Sequence, residues 1–306
     1  MVYIMKKQFV VLDGGMGREL KRMGAPFSQP LWSAQALIES PSLVRKAHQN
    51  FIDAGAEIIT VNSYACVPFH LGETLYQSKG AELAQQAAII ANAVAKNELA
   101  TTNRSINVAG AIPPVLGSYR PELFDSNKAK GILETLVQSQ EPYVDLWLAE
   151  TISSLDELDA IQQALSFSPK KKYYAFTLQD SPNGKALLRS GESVAEAVEQ
   201  VCSSGAEGIL FNCSIPEVMG QSIKLAKELS TKLETPLEIG AYANSFGPIK
   251  PGYKANDSLN QTKELSAEEY LVFAKQWHEL GATIIGGCCG IHPEHIQVIA
   301  DWKREH

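Results

Sequence analysis

Basic runs, long apolar runs and a paired set of cysteines are all missing from this sequence, and each absence closes a route. The formal charge is −7, and no cluster of lysine and arginine could track a phosphate backbone, so nucleic acid is not an expected partner. No segment reaches membrane-spanning length. The opening stretch Met1 to Val10 carries Lys6 and Lys7 but no apolar run of signal-peptide length, so neither a membrane nor export is expected and the cytoplasm is the expected location. Cys66, Cys202, Cys213, Cys288 and Cys289 are odd in number and widely scattered, a poor disulfide framework; free thiols or metal ligands are expected instead. No linker interrupts the 306 residues, which are expected to form one domain, 1–306.

What is present is a repeated pattern. Short β-branched or aromatic runs alternate with segments rich in alanine and leucine. The runs are Phe9 to Leu12, Glu57 to Asn62, Ile106 to Ile112, Val144 to Glu150, Lys172 to Leu178, Gly208 to Asn212, Leu237 to Tyr242 and Ala282 to Gly286. Helices are predicted at Pro41 to Ala54 after Ser40, Ser153 to Ser166, Val194 to Ser203, Pro216 to Leu233 after Ser214, Ala267 to Leu280 after Ser266, and Pro293 to Lys303. Two more, near Lys79 to Lys96 and Lys128 to Gln140, lack clean caps. Gly55, Gly205 and Gly281 each follow a helix and precede a strand, as a left-handed helix terminus requires. Eight βα units in series predict an α/β fold, a single (β/α)8 TIM barrel, with a doubly wound open sheet as the alternative. Loops at Gly15 to Ser40, Pro113 to Lys128, Gln179 to Ser193 and Ala243 to Ser266 follow strand ends and gather at the face where barrel active sites lie. The polar stretch Lys250 to Lys263 is expected to be mobile.

Three cysteines fall just past strand ends: Cys213 after the sixth, Cys288 and Cys289 after the eighth. Neighbouring thiolates meet one ion only if the backbone turns between them, and the flanking glycines permit that. Three thiolates suit zinc and leave a fourth position open; buried packing cysteines or a vicinal disulfide are the alternatives. Cys66 and Cys202 look different from these three; Cys202 falls within a helix and reads as structural. Asp13 and Glu150 also end strands. The pair could hold a substrate ammonium while N–H groups around Gly14 and Gly15 take its carboxylate; a turn residue before glycine, and an acceptor capping the next helix, are the plainer accounts.

Taken together, Asp13-Gly14-Gly15-Met16-Gly17, Glu150-Thr151, Asn212-Cys213 and Gly286-Gly287-Cys288-Cys289-Gly290 closely resemble the homocysteine S-methyltransferase family in order and spacing over the whole chain. The resemblance implies that Cys213, Cys288 and Cys289 bind Zn2+, that Asp13 and Glu150 help bind homocysteine, and that Thr60 to Tyr64 borders the pocket. Tyr64 could equally pack at the barrel mouth. Asn212 could orient a ligand loop or cap the helix near Pro216. The implied reaction methylates the homocysteine thiol, and the expected partners are homocysteine and a cationic methyl donor. Vitamin-dependent synthases carry added folate and cobalamin domains and betaine enzymes carry extra C-terminal structure, whereas this sequence stops soon after Trp302. S-methylmethionine, or S-adenosylmethionine, is therefore expected, although Ile112 to Pro121 departs from the Gly-Pro-containing loop of the better-known S-methylmethionine enzymes. Trp32, Tyr64, Tyr119 and Phe246 are candidates for contact with a cation.

Rival chemistries fit less well. A phosphate cup after strand eight gains nothing from two cysteines, and Phe211-Asn212-Cys213 offers no lysine for a Schiff base. A betaine-type enzyme and a non-catalytic zinc or thiol sensor remain as alternatives. His292 and His295, although close to the cysteines in number, are expected in the last helix in structural or surface roles.

Overall fold

A computed structural model describes residues 8–249, 253 and 265–305; apart from Tyr253, the stretch expected to be mobile between Lys250 and Lys263 lies outside the described residues. Eight parallel strands form one sheet: β1 (Val10–Val11), β2 (Ile58–Thr60), β3 (Asn107–Ile112), β4 (Leu146–Ile152), β5 (Lys171–Phe176), β6 (Gly208–Asn212), β7 (Glu238–Tyr242) and β8 (Ile284–Ile285). Their order is β1-β8-β7-β6-β5-β4-β3-β2, with every ladder parallel. The two ends meet through a bridge between Leu12 and Ile58, flanked by Glu57 N–H to Val11 O at 2.8 Å and Asp13 N–H to Ile58 O at 3.1 Å. The sheet thereby closes, nearly completely, into a (β/α)8 barrel, and the open-sheet alternative is excluded.

Around it lie α1 (Met16–Arg22), α2 (Ser33–Glu39), α3 (Pro41–Asp53), α4 (Pro68–Leu71), α5 (Glu73–Thr102), α6 (Ser126–Gln140), α7 (Leu155–Ala164), α8 (Val194–Ser203), α9 (Met219–Lys232), α10 (Ala267–Leu280) and α11 (Pro293–Glu305). Strand alternation sorts the core into two layers. Val11, Ile59, Val108, Trp147, Tyr174, Ile209, Phe211, Ile239 and Ile285 face the helices, whereas Leu12, Ile58, Ala109, Leu146, Leu148, Leu210, Tyr242 and Ile284 fill the barrel interior. By the same period of two, Glu150 continues the inner row of Leu146 and Leu148, and Asn212 that of Leu210. Inner-facing polar residues at strand ends converge on the barrel mouth for this reason.

Local signals explain most helix boundaries. Ser193 with Glu196 and Ser266 with Glu269 form capping boxes, which fix the starts of α8 and α10. Gly55, Gly205 and Gly281 all adopt positive φ, as a glycine between helix and strand should. Four expectations need correction. The connection Gly15 to Ser40 contains α1 and α2 rather than being a loop throughout. The helix expected from Lys128 starts at Ser126, because the Asp125 carboxylate accepts from the N–H groups of Asn127 and Lys128. The long α5 runs from Glu73 to Thr102, well beyond Lys79 to Lys96. Pro216 opens a 3-10 turn, Pro216–Val218, ahead of α9, and Ser214 caps nothing there, its hydroxyl accepting instead from Leu178 N–H at 2.7 Å.

Candidate functional site

The three cysteines reach one point by two backbone devices. Cys213 follows β6 with φ of 47°, a left-handed conformation uncommon for a residue with a side chain. Thr177 Oγ1 donates to its carbonyl at 3.3 Å, and its own N–H reaches Tyr242 O at 3.3 Å. Cys288 and Cys289 sit on a turn closed by Ile291 N–H to Cys288 O at 3.0 Å, with Gly290 at φ of 82°. A turn of this kind lets adjacent side chains meet on one side. Gly287 is required by space as well, since a Cβ there would lie 2.1 Å from Ile291 Cγ2.

The sulfur atoms of Cys213, Cys288 and Cys289 all lie within 4.8 Å of one another. Cys213 and Cys288 are joined in a disulfide, their Cα atoms 5.6 Å apart, and Cys289 is a free thiol. This corrects the expectation of free thiols or ligands throughout. Since β6 and β8 both flank β7, their ends deliver the two thiols to bonding distance, and the vicinal pairing of Cys288 with Cys289 is not the one formed. Reduction of that bond yields three thiols aimed at one point, a donor set that fits a soft or borderline cation. Burial pushes the Cys289 thiol up to about 11, opposed by the charge of Arg18 and reinforced by that of Glu150; a cation binding there displaces a proton. Cys66 is fully buried, and Cys202 lies in α8, as structural cysteines should.

Two carboxyls face the same cavity. Asp13 accepts Thr60 N–H at 2.7 Å and the Thr60 hydroxyl at 3.0 Å, tying β1 to β2 rather than serving as a mere turn residue. Burial nevertheless pushes it up to about 7, against those hydrogen bonds. Glu150 does not end β4, which continues to Ile152 across a register shift with Thr151 at φ of 62°. Nor does it cap α7, because the Ser154 hydroxyl takes that position. Burial first, and the charge of Asp13 second, push Glu150 up to about 8. Two acids raised by burial, one of them further by its neighbour's charge, suit a cationic guest. Asn212 is fully buried on the inner row of the barrel and is not among the residues that line the cavity. Its amide accepts from Thr151 N–H at 2.9 Å and donates to Thr151 Oγ1 at 3.0 Å, so it pins the strained turn beside Glu150 and caps no helix.

These groups share one cavity, about 900 Å3 when the open solvent at its mouth is counted. Gly14, Thr60, Val61, Asn62 and Tyr64 line it, as do all four expected aromatic candidates, Trp32, Tyr64, Tyr119 and Phe246. The Tyr64 hydroxyl pairs with Ser118 Oγ at 2.7 Å. Gly15 N–H is bonded to Ile291 O at 2.9 Å, which removes it from the donors a carboxylate could use. The lining residues Ser33, His70, Ser118, Tyr242 and Tyr253 were not singled out from the sequence. Tyr242 carried a usable signal, since it ends its strand just as Asp13 and Glu150 were chosen for doing. His292 precedes α11 and binds buried Glu19 at 2.8 Å, while His295 Nε2 contacts Leu265 O at 2.9 Å; both are structural.

A family model described as homocysteine S-methyltransferase matches residues 10–302. The chain belongs to the homocysteine S-methyltransferase family. Among family members, homocysteine S-methyltransferase 1 of Arabidopsis thaliana is 31% identical, with 96% of this chain and 93% of that protein covered. A selenocysteine methyltransferase of Astragalus bisulcatus is 27% identical, with 94% and 90% covered. The Escherichia coli homocysteine methyltransferase MmuM, solved in a metallated form, superposes with a TM-score of 0.77 at 25% identity, covering 98% of this chain and 97% of that one. A metal therefore accompanies this family fold, and the cysteine cluster is the group of described residues that could hold one.

Proposed function

We propose that this chain binds one Zn2+ through Cys213, Cys288 and Cys289 and transfers a methyl group from S-methylmethionine, or S-adenosylmethionine, to the thiol of L-homocysteine, giving methionine. The observation that carries the proposal is the convergence of three sulfurs, two buried carboxyls and an aromatic wall on one cavity. The three sulfurs lie within 4.8 Å of one another, so once the disulfide is reduced and Cys213 and Cys288 move apart, all three would reach a single Zn2+ through bonds of about 2.3 Å. A bound Zn2+ supplies the positive charge that lets an incoming thiol lose its proton at neutral pH.

The protein's own residues do the rest. Asp13 and Glu150 take the homocysteine ammonium, and the backbone at Gly14 borders its carboxylate. Trp32, Tyr64, Tyr119 and Phe246 face the sulfonium of the donor, a cation whose weak hydration suits aromatic contact. The new bond joins the homocysteine sulfur to the methyl carbon. The bond that breaks leaves its electron pair on the donor sulfur, so the departing thioether is neutral and no general acid is needed. Holding the two sulfurs in line with the methyl group is the main remaining task. The thiol set must stay reduced to bind metal, which supports a reducing compartment such as the cytoplasm and a step of methionine formation as its setting.

The test is methionine formation by reduced, zinc-loaded protein given homocysteine and, separately, S-methylmethionine, S-adenosylmethionine or betaine. Turnover with either sulfonium supports the proposal. Turnover with betaine alone replaces the donor, and zinc bound without any turnover supports a sensor. The disulfide favours that last reading as a second choice, but a sensor has no use for the two buried carboxyls.

A further inference from the structure

We infer that the Tyr242 hydroxyl is a third, uncharged acceptor for the ammonium group of the acceptor amino acid, and so selects amino-acid thiols over thiols that lack the amino group. The inference rests on the proposed homocysteine reaction. Tyr242 ends β7 on the inner face of the barrel and is 2% exposed, yet it lines the cavity. Its hydroxyl lies beside the Glu150 carboxyl without forming a well-aligned hydrogen bond, and the charge of Asp13 also reaches it.

Two other tyrosine hydroxyls near the site are already used. Tyr64 pairs with Ser118, and Tyr270 donates toward Ala243 O and Gly286 O at 3.2 and 2.7 Å. A buried hydroxyl left without such a partner is unfavourable unless a ligand completes it. An ammonium brings three donors, and the two carboxyls account for two of them. A third carboxylate would leave the site with excess negative charge, whereas a phenol adds an acceptor and no charge. With its own proton turned toward Glu150, the phenol oxygen presents its lone pairs to the guest, and each hydrogen bond polarises the next. A thiol without the amino group leaves all three acceptors unsatisfied, the situation in which polar sites discriminate most strongly.

The test compares homocysteine with 4-mercaptobutyrate, the same thiol acid without the amino group, on reduced, zinc-loaded wild-type protein and Y242F. Calorimetry reads affinity, and methionine formation reads turnover. Y242F is expected to weaken homocysteine binding about ten-fold, to raise KM more than it lowers kcat, and to change the affinity for 4-mercaptobutyrate far less. The thermal midpoint should not fall, because the hydroxyl removed has no well-formed bond in the ligand-free protein. An unchanged preference between the two thiols, or equal losses for both, overturns the inference. Wild-type protein that neither binds homocysteine nor forms methionine overturns the functional proposal itself.

Discussion

The two walls of the cavity are built on different principles. The sulfur wall is a backbone construction, with Cys213 held at positive φ and Cys288 and Cys289 carried on a turn packed through Gly287 and Gly290. The carboxyl wall is a side-chain construction. Asp13 is fixed by Thr60 from the next strand, and Glu150 sits on a turn pinned by Asn212 from two strands away. A backbone site concentrates its information in a short local motif, whereas a side-chain site spreads it over partners remote in sequence. The first should therefore fail as a unit, and the second should fail by degrees.

The largest expected effect is on the sulfur side. Replacing Cys289 with alanine should remove the bound metal and lower methionine formation by at least about a thousand-fold; elemental analysis and turnover of the reduced protein check both. On the carboxyl side, Glu150→Gln should keep its zinc and raise KM for homocysteine by about 30-fold, the scale of one charge-assisted contact. Zinc lost in that variant, or an unchanged KM, would erase the distinction between the walls.

A smaller loss is expected at Asn212→Ala, which strips the buried Thr151 N–H and hydroxyl of their partner. Chemical denaturation should show a loss of about 2 kcal/mol, with KM for homocysteine rising because Glu150 is no longer pinned, while zinc is retained.

The gentlest test is pH. Asp13 and Glu150 hold their protons up to about 7 and 8 in the fold, against ordinary values of 3.8 and 4.5 in an unfolded chain. Through these two carboxyls, and Glu157 raised by burial to about 7, the folded, reduced, ligand-free protein holds extra protons, and the stability they contribute declines as pH rises toward 8. Buried His48 and His70, lowered to about 4, oppose this below about pH 6.5, their usual value. The thermal midpoint should therefore fall from about pH 6.5 to pH 8, and Glu150→Gln should flatten the upper part of that fall.

The same contrast decides what could be foreseen. The barrel was legible because its eight β-branched runs and helix-ending glycines are local signals, and the three cysteines because a turn-permitting glycine motif surrounds two of them. The state of those thiols was not legible, since the Cys213–Cys288 bond depends on how closely β6 and β8 approach across β7. Glu150 was picked out as a strand end, but the continuation of β4 to Ile152, the bulge at Thr151 and the role of Asn212 beside it require knowing which strands are neighbours. Tyr242 shows the opposite failure. Its position at the end of β7 was visible, yet a tyrosine closing a strand is usually packing, and only its unpaired hydroxyl beside Glu150 marks it out.

The central claim is that Cys213, far in sequence from Cys288 and Cys289, completes one metal site with them. Elemental analysis of reduced wild-type protein beside Cys213→Ala tests it most directly. One zinc per chain in the wild type and none in the variant is the predicted result; a zinc-free wild type under reducing conditions, or a variant that keeps its zinc, would contradict it.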